Sequence, residues 1–389
     1  MASLSVAKRL SALRLDTDHR DLSRMIVDAT MARCPDAKKF GNYSYYNSLY
    51  MIGQYMVFVR TGDDAYLKYV QAWADSHINE NGIPDHELTG LDYIQPGNLM
   101  LLLYAQTGEK RYKLAAETIH QRFATYPRTT DGGFWHSSIE ENKVHALWLD
   151  GTYMAIPFLL RYAKLFGGKQ AAYDEAAKQL ILDHQHNGST QSGLLYHAYD
   201  ERGLAAWADP VSHHSSVFWG RAVGWYGMAL VDTLDSLPQD HPQRSELLGI
   251  TQHLVESLAA CQDVATGLWF QILDKPTLPG NWLETSSSSM FTYLIDISVK
   301  RGFVDLRFKS NAARGRAGVL TQLTFSPNGG VDIHNICAGT DVGEVPYYLS
   351  RPRNTNDPHG LGAFLLMNEE WKTSQTSMSL SPLHAGPSS

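Results

Sequence analysis

The feature of the sequence that most constrains the fold is an alternation between two kinds of helical segment. One kind is polar with apolar residues at helical spacing, and the other is apolar on most sides and rich in small and aromatic residues. A helix that is apolar on most sides must be buried on most sides. The pattern therefore predicts an all-α fold, a single (α/α)6 barrel with buried inner helices and half-exposed outer helices. The polar segments are 18–32, 63–80, 109–125, 171–185 and 244–262, and the apolar segments are 45–60, 96–106, 149–166, 220–235, 288–300 and 361–369.

Glycine-containing loops separate many of these segments, and two of them, 132–136 and 193–197, combine glycine with aromatic residues and histidine. In a closed ring the loops that lead into the inner helices gather at one end, so we expect short β-hairpins and the functional site there. The open alternative is a helical solenoid, in which each repeat contacts only its neighbours. We expect one catalytic domain over 1–372 and a flexible tail over 373–389, because the last residues are rich in Ser, Thr and Pro.

Charge and composition argue against several classes of protein. The 389 residues carry a formal net charge of −7 and no basic block, which argues against nucleic acid as a partner. Apolar runs such as 99–105 reach about seven residues, whereas a transmembrane helix needs about 20, so no membrane partner is expected. Residues 1–14 lack an apolar stretch for a secretory signal, although an organellar transit peptide remains open. The absence of a secretory signal, together with only three widely spaced Cys, predicts a cytoplasmic protein.

Two aspartates stand where apolar helices begin. Asp92 lies in Leu91-Asp92-Tyr93, just before one inner helix, and Asp150 follows Trp148 and Leu149 at the start of the next. Apolar neighbours leave a carboxylate poorly hydrated. The neutral form of Asp150 should therefore be favoured and its pKa raised, as a general acid requires. The alternative for both residues is a helix cap or a buried structural carboxyl.

Basic and aromatic side chains indicate the kind of substrate on which these carboxyls would act. Arg221 and Trp225 are four residues apart and share a helix face, where they could clamp a sugar carboxylate; a buried Arg–carboxylate pair is the alternative. His136 and His197 occupy equivalent places in successive loops and are expected to line the pocket. Zinc-type spacing is missing from the sequence, so neither a metal nor a cofactor is expected. Nine Trp and twenty Tyr are typical of a protein that binds carbohydrate, and the set points to glycosidic chemistry on an acidic sugar.

Four segments also resemble a known family. The runs 148–154, 219–226, 339–352 and 356–364 are similar to those of the unsaturated rhamnogalacturonyl hydrolases, glycoside hydrolase family 105, which are related to the unsaturated glucuronyl hydrolases of family 88. The resemblance implies an (α/α)6 barrel. It also implies hydration of a 4,5-unsaturated uronyl residue at the non-reducing end of lyase-generated oligosaccharides. The substrate that it favours is unsaturated galacturonyl-rhamnose from rhamnogalacturonan. The partner would be a small unsaturated acidic oligosaccharide. The sequence does not indicate the oligomeric state.

The resemblance also implies roles for individual residues. Asp150 would be the principal general acid/base and Asp92 the assisting carboxylate. The sugar would be contacted by Arg221, Trp225, His197, His136, Trp148 and Met154. An unsaturated glucuronyl substrate, an ordinary inverting glycosidase and a helical binding protein without catalytic activity remain as alternatives.

Overall fold

A computed structural model describes residues 20–327 and 329–373, and in these residues the chain forms thirteen α-helices and eight short strands. The helices are α1 (Leu22–Arg33), α2 (Tyr45–Thr61), α3 (Asp64–His77), α4 (Gly97–Thr107), α5 (Lys110–Arg122), α6 (Leu149–Phe166), α7 (Lys169–Asn187), α8 (Gly220–Ser236), α9 (Arg244–Cys261), α10 (Thr285–Lys300), α11 (Lys309–Leu320), α12 (Val345–Leu349) and α13 (Pro358–Thr373). The strands are β1 (Ala146–Trp148), β2 (Ala198–Asp200), β3 (Trp269–Phe270), β4 (Leu283–Glu284), β5 (Leu323–Phe325), β6 (Val331–Ile333), β7 (Ile336–Cys337) and β8 (Arg353–Asn354).

The inner ring of the fold consists of α2, α4, α6, α8, α10 and α13. Each of these helices packs on the next, and α13 packs on α2, which closes the ring. Their composition explains this position: in α8, every residue from Gly220 to Leu234 is buried, as a helix with apolar residues around its circumference requires. The predicted all-α (α/α)6 barrel is confirmed, and the closure of the ring excludes the open solenoid.

The outer layer consists of α1, α3, α5, α7, α9 and α11. In α5 the buried residues are Tyr112, Ala115, Ala116 and Ile119, a spacing that forms one stripe facing the inner ring. The sequence pattern assigned no range to α11, and the structure gives the reason. Its buried face includes Gly315 and Gly318, where the neighbouring segments approach so closely that a Cβ atom would lie 2.4 Å from another atom. A face built from glycine carries little apolar signal.

The strands form four two-stranded antiparallel sheets. They lie in the connections that run from an outer helix to the next inner helix, and these connections meet at one end of the barrel. Of the pairs in the described residues, β5 and β6 are separated by only five residues in sequence. In contrast, β1 and β2 belong to successive connections and pair across the intervening helices. This end of the barrel is called the mouth below.

Two inner helices begin three residues earlier than the sequence predicts. The polar first turn of α10 is buried because Glu284 accepts hydrogen bonds from the backbone N–H groups of Ser286 and Ser287, and α13 begins at Pro358. Residues 1–19 and 374–389, which include the N-terminal segment and nearly all of the predicted tail, lie outside the described residues. Within the described residues, no helix is both long and apolar enough to cross a bilayer.

Candidate active site

Asp150 and His197 are brought together by the pairing of β1 with β2. The register places Trp148 opposite Ala198, and the backbone N–H of Leu149 donates to the carbonyl of His197 at 3.1 Å. Asp150 is the second residue of α6 and His197 directly precedes β2. As a result, Nε2 of His197 lies 3.1 Å from Oδ2 of Asp150, and both side chains are buried.

The other ring nitrogen of His197 is held by a residue from the last connection of the barrel. The Tyr348 hydroxyl lies 2.7 Å from Nδ1 of His197 and accepts from the backbone N–H of Gly343 at 3.4 Å. Burial raises the pKa of Tyr348 well above its ordinary value, so the hydroxyl keeps its proton. Because a carboxylate only accepts hydrogen bonds, Nε2 of His197 carries a hydrogen and donates it to Asp150.

The charge state of Asp150 differs from the sequence prediction. Burial favours the neutral carboxyl, but His197, His136 and Arg221 together outweigh it and hold the pKa of Asp150 below its ordinary value. The predicted rise in the pKa of Asp150 is therefore wrong for the protein without substrate. The sequence shows only the apolar neighbours of Asp150, whereas the groups that stabilise the anion come from other connections and from the start of α8.

Asp92 joins this pair through His136. Asp92 lies in a single 3-10 turn, Leu91–Tyr93, ahead of α4, and Nε2 of His136 is 3.7 Å from its Oδ2. The backbone fixes this arrangement, because the N–H of Leu91 donates to the carbonyl of His136 and the N–H of His136 to that of Ala146. The His136 ring stacks on Trp148 at 4.4 Å. The mouth thus brings together Asp92, His136, Trp148, Asp150 and His197.

Arg221 also reaches this group, but two of its hydrogen bonds go to the backbone and a longer one goes to the Ser286 hydroxyl at 3.5 Å. Its guanidinium donates to the carbonyls of Cys337 and Ala338 and lies 4.7 Å above the Trp219 ring. Its side chain is buried, and its charge still lowers the pKa of Asp150. Arg221 therefore fixes the segment that carries Tyr348 to the wall of the barrel.

Trp225 and Met154 lie deeper than the other predicted site residues. Trp225 is fully buried, stacks on Tyr153 at 5.0 Å and meets the edge of Tyr45 at 6.0 Å. Met154 is fully buried in the hydrophobic core, one turn after Asp150. The structure does not bring Arg221 and Trp225 together as an open clamp: the indole that the guanidinium covers is that of Trp219.

The structure places at the mouth several residues to which the sequence assigned no role. The Tyr45 hydroxyl lies 2.8 Å from Nε2 of His359, whose Nδ1 is 2.6 Å from Asp357. Lys143 packs 5.1 Å over the Trp148 ring and pairs with Glu140 and Asp341. Tyr348, Asp357 and His359 all lie in runs that resemble the family, which was the available signal for them. In the described residues, no cluster of three His, Cys, Asp or Glu side chains could hold a metal ion.

A closed helical barrel whose mouth gathers two carboxylates, two histidines and several aromatic rings fits a glycoside hydrolase, whose chemistry uses paired carboxyl groups. Comparison with known proteins gives the family. The model of Glycosyl Hydrolase Family 88 matches residues 22–374. The solved structure of a family 105 glycoside hydrolase from C. acetobutylicum ATCC 824 is 32% identical and has a TM-score of 0.87, covering 91% of this chain and 100% of that one. The chain therefore belongs to the glycoside hydrolases of families 88 and 105 and is an enzyme.

Two curated relatives are similar to parts of the chain. Protein Atu3128 of Agrobacterium fabrum is 33% identical over 236 residues, which cover 56% of this chain and 97% of that protein. The unsaturated rhamnogalacturonyl hydrolase YesR of Bacillus subtilis is 27% identical over 235 residues, covering 59% of this chain and 63% of that protein.

Proposed function

We propose that this enzyme hydrates the 4,5 double bond of an unsaturated uronyl residue at the non-reducing end of an oligosaccharide. The observation that carries the proposal is the buried Asp150–His197 pair, with Asp92 beside it at the mouth of the barrel. Asp150 transfers the proton and Asp92 assists by orienting water. The sugar lies beside Trp148, His136 and His197, while Arg221, Trp225 and Met154, which are buried in the wall of the barrel, support the site from behind.

The charge of the substrate explains how Asp150 gains the proton that it lacks in the substrate-free site. Asp150 is an anion before substrate arrives, because its pKa lies below its ordinary value. A uronyl residue brings a second carboxylate into the same buried site, and a nearby like charge raises the pKa of a carboxyl. Binding therefore leads Asp150 to take up a proton. His197 occupies Oδ2, so Oδ1 is the oxygen that receives and delivers it.

The reaction then proceeds by addition of water across the double bond. Asp150 gives its proton to C4, and the oxygen of a water molecule bonds to C5. The proton lost by that water returns to Asp150, so the carboxyl is regenerated. The resulting hemiketal opens, the bond to the aglycone breaks, and the aglycone leaves with a hydroxyl group while the uronyl residue becomes a keto acid.

We infer that the preferred substrate is unsaturated galacturonyl-rhamnose from rhamnogalacturonan. Support for this aglycone comes from the motifs shared with family 105 and from the name of the Bacillus subtilis relative. An unsaturated glucuronyl oligosaccharide presents the same double bond and carboxylate, so it is the alternative substrate.

The test is the loss of ultraviolet absorbance from the conjugated double bond. Wild-type enzyme should remove the absorbance of lyase-generated galacturonyl-rhamnose faster than that of its glucuronyl counterpart. Asp150→Asn should slow the reaction by at least the 10²–10⁴-fold expected from loss of a general acid or base. Asp240→Asn, at an exposed position, is the matched control and should behave as wild type.

Three results would contradict the proposal. If both unsaturated substrates keep their absorbance, the enzyme does not act on this bond. Turnover of Asp150→Asn near that of wild type would remove Asp150 from the mechanism. Cleavage of the saturated galacturonyl-rhamnose at a comparable rate would identify an ordinary inverting glycosidase instead.

A further inference from the structure

A second hydrogen-bonded chain ends at the mouth, on the side formed by α2 and α13. Asp357 accepts from Nδ2 of Asn354 at 2.8 Å and from Nδ1 of His359 at 2.6 Å. Nε2 of His359 lies 2.8 Å from the Tyr45 hydroxyl. The His359 ring is buried and stacks on Tyr46 at 4.6 Å. The three groups Asp357, His359 and Tyr45 are called the Tyr45 relay below.

The partners of His359 fix the direction of every hydrogen bond in this relay. Three donors surround Asp357: the amide of Asn354 and both Nδ1 and the backbone N–H of His359. These bonds, above all those from His359, hold the pKa of Asp357 below its ordinary value despite burial. A carboxylate only accepts, so Nδ1 of His359 must carry a hydrogen. Burial, with the charge of Arg221, lowers the pKa of His359 and keeps the ring neutral. Nε2 is then an acceptor, and the Tyr45 hydroxyl donates to it.

Tyr45 stands within the electric field of the candidate active site. Its hydroxyl interacts with the charges of Asp92, Asp150 and Arg221, and burial raises its pKa well above the ordinary value, so it does not ionise. Its ring meets the edge of Trp225 at 6.0 Å and that of Tyr46 at 5.3 Å, which restricts its rotation. The only hydrogen of the hydroxyl is directed to His359, so the oxygen has only lone pairs to offer on its remaining side.

We propose that Asp357 and His359 are positioning residues that hold the Tyr45 hydroxyl as a hydrogen-bond acceptor, and that this oxygen receives a hydroxyl group of the unsaturated sugar. The inference rests on the proposed function and extends it to a residue that selects substrate. An acceptor at this wall favours a free sugar hydroxyl and disfavours a sugar that carries an acetyl or sulfate group at the same oxygen, because such a group has no hydrogen to donate.

The helix-cap role of Asp357 does not account for this arrangement. Asp357 also accepts from the backbone N–H of His359 at the start of α13, which is a stabilising cap. A cap needs no histidine side chain and no contact with Tyr45. The two roles therefore separate when His359 is changed and Asp357 is kept.

The experiment is a double-mutant cycle on the full-length enzyme with Tyr45→Phe and His359→Phe. Phenylalanine keeps the ring stack on Tyr46 but removes the acceptor, so the Tyr45 hydrogen is free to turn towards the substrate. Each single variant should raise KM about 5- to 10-fold, the effect of one hydrogen bond, with a smaller change in kcat. The double variant should be no worse than Tyr45→Phe alone. His359→Gln, whose amide oxygen can accept from Tyr45, should restore most of the loss.

Two further measurements decide between positioning and a purely structural role. Additive effects in the cycle, or no rescue by His359→Gln, would overturn the proposal. ¹⁵N NMR of histidine-labelled wild type should show His359 with its hydrogen on Nδ1, and a hydrogen on Nε2 would also overturn it. The NMR result does not depend on activity. If wild type acts on no unsaturated substrate, the proposed function fails while the tautomer of His359 is still measured.

Discussion

His197 and Asp150 form a buried pair in which Nε2 lies 3.1 Å from Oδ2, with the histidine fully shielded and the aspartate side chain 10% exposed. The pair joins two connections of the barrel that are 47 residues apart in sequence. Because Tyr348 holds the opposite nitrogen of the ring, the histidine cannot turn away from the carboxylate without losing a second hydrogen bond. The arrangement keeps Asp150 charged until a ligand changes the local field.

Proton uptake on binding is the first consequence. The keto acid product carries the same carboxylate as the substrate, so its binding should raise the pKa of Asp150 and draw a proton from solution near neutral pH. Calorimetry in buffers of different ionisation enthalpy should show net proton uptake on binding. In Asp150→Asn the uptake should vanish while binding persists. Uptake that is the same in wild type and Asp150→Asn would assign the proton to another group.

The pH dependence of the rate tests the role of His197. Replacing His197 with Gln keeps a donor near Oδ2 but removes the imidazole charge that lowers the pKa of Asp150. The folded-state pKa of Asp150 should therefore rise. If Asp150 acts as an acid, the alkaline limb of the kcat/KM profile should move to higher pH. Movement of the acidic limb to higher pH instead would mean that the reaction needs the anion. Asp240→Asn should move neither limb.

The sequence predicted the barrel, and it placed the candidate site residues at one end of that barrel, because both inferences depend on local patterns. Apolar segments of helical length identify the inner helices, and the position of Asp92, His136, Asp150 and His197 at the entrances to those helices places them at one end. This reasoning needs only the closure of the ring. The same reasoning assigned no range to α11, whose buried face includes Gly315 and Gly318 and therefore carries a weak apolar signal.

The charge state of the site could not be predicted in the same way. Asp150 is flanked in sequence by Trp148 and Leu149, which indicate a raised pKa. The groups that lower it are His197, His136 and Arg221, which lie in other parts of the chain. Tyr348 reaches His197 from 151 positions away. Such contacts depend on which connections meet at the mouth, and a single sequence contains no direct signal for them.

Arg221 gives the next prediction. Its guanidinium donates to the carbonyls of Cys337 and Ala338, and a lysine ammonium cannot reproduce this planar arrangement. In Arg221→Lys the segment that carries Tyr348 should loosen, with faster hydrogen exchange over 337–350, a lower Tm and a KM raised several-fold.

Arg244 provides a matched control for this change. It is buried and donates to two backbone carbonyls, those of Leu234 and Leu237, at 2.7 and 2.9 Å. Arg244→Lys should lower Tm to a similar extent but leave KM and exchange over 337–350 unchanged. If Arg221→Lys raises KM without faster exchange in that segment, Arg221 instead contacts the substrate directly.

Asp183 on α7 leads to a prediction about stability. It is buried beside a small cavity lined by Trp148, Gly151 and Thr152, and it accepts a hydrogen bond from the Thr152 hydroxyl. Burial, with a smaller contribution from the charge of Asp150, raises the pKa of Asp183 from 3.8 to about 7. Between these two values the unfolded chain has lost the proton that the folded protein keeps. Stability should therefore fall as pH rises from about 4 to about 7 and then level off.

Asp183→Asn should remove this pH dependence, because the amide keeps an oxygen for Thr152 and cannot ionise. The Tm of the variant should exceed that of wild type at neutral and higher pH, and the gain should shrink towards zero near the ordinary pKa of 3.8. The change in pKa sets an upper limit of ~4 kcal/mol on the gain in the free energy of unfolding. Thermal unfolding of both proteins across this pH range measures it, with Asp240→Asn as the exposed control. A difference in Tm that does not vary with pH would mean that Asp183 ionises normally in the folded protein.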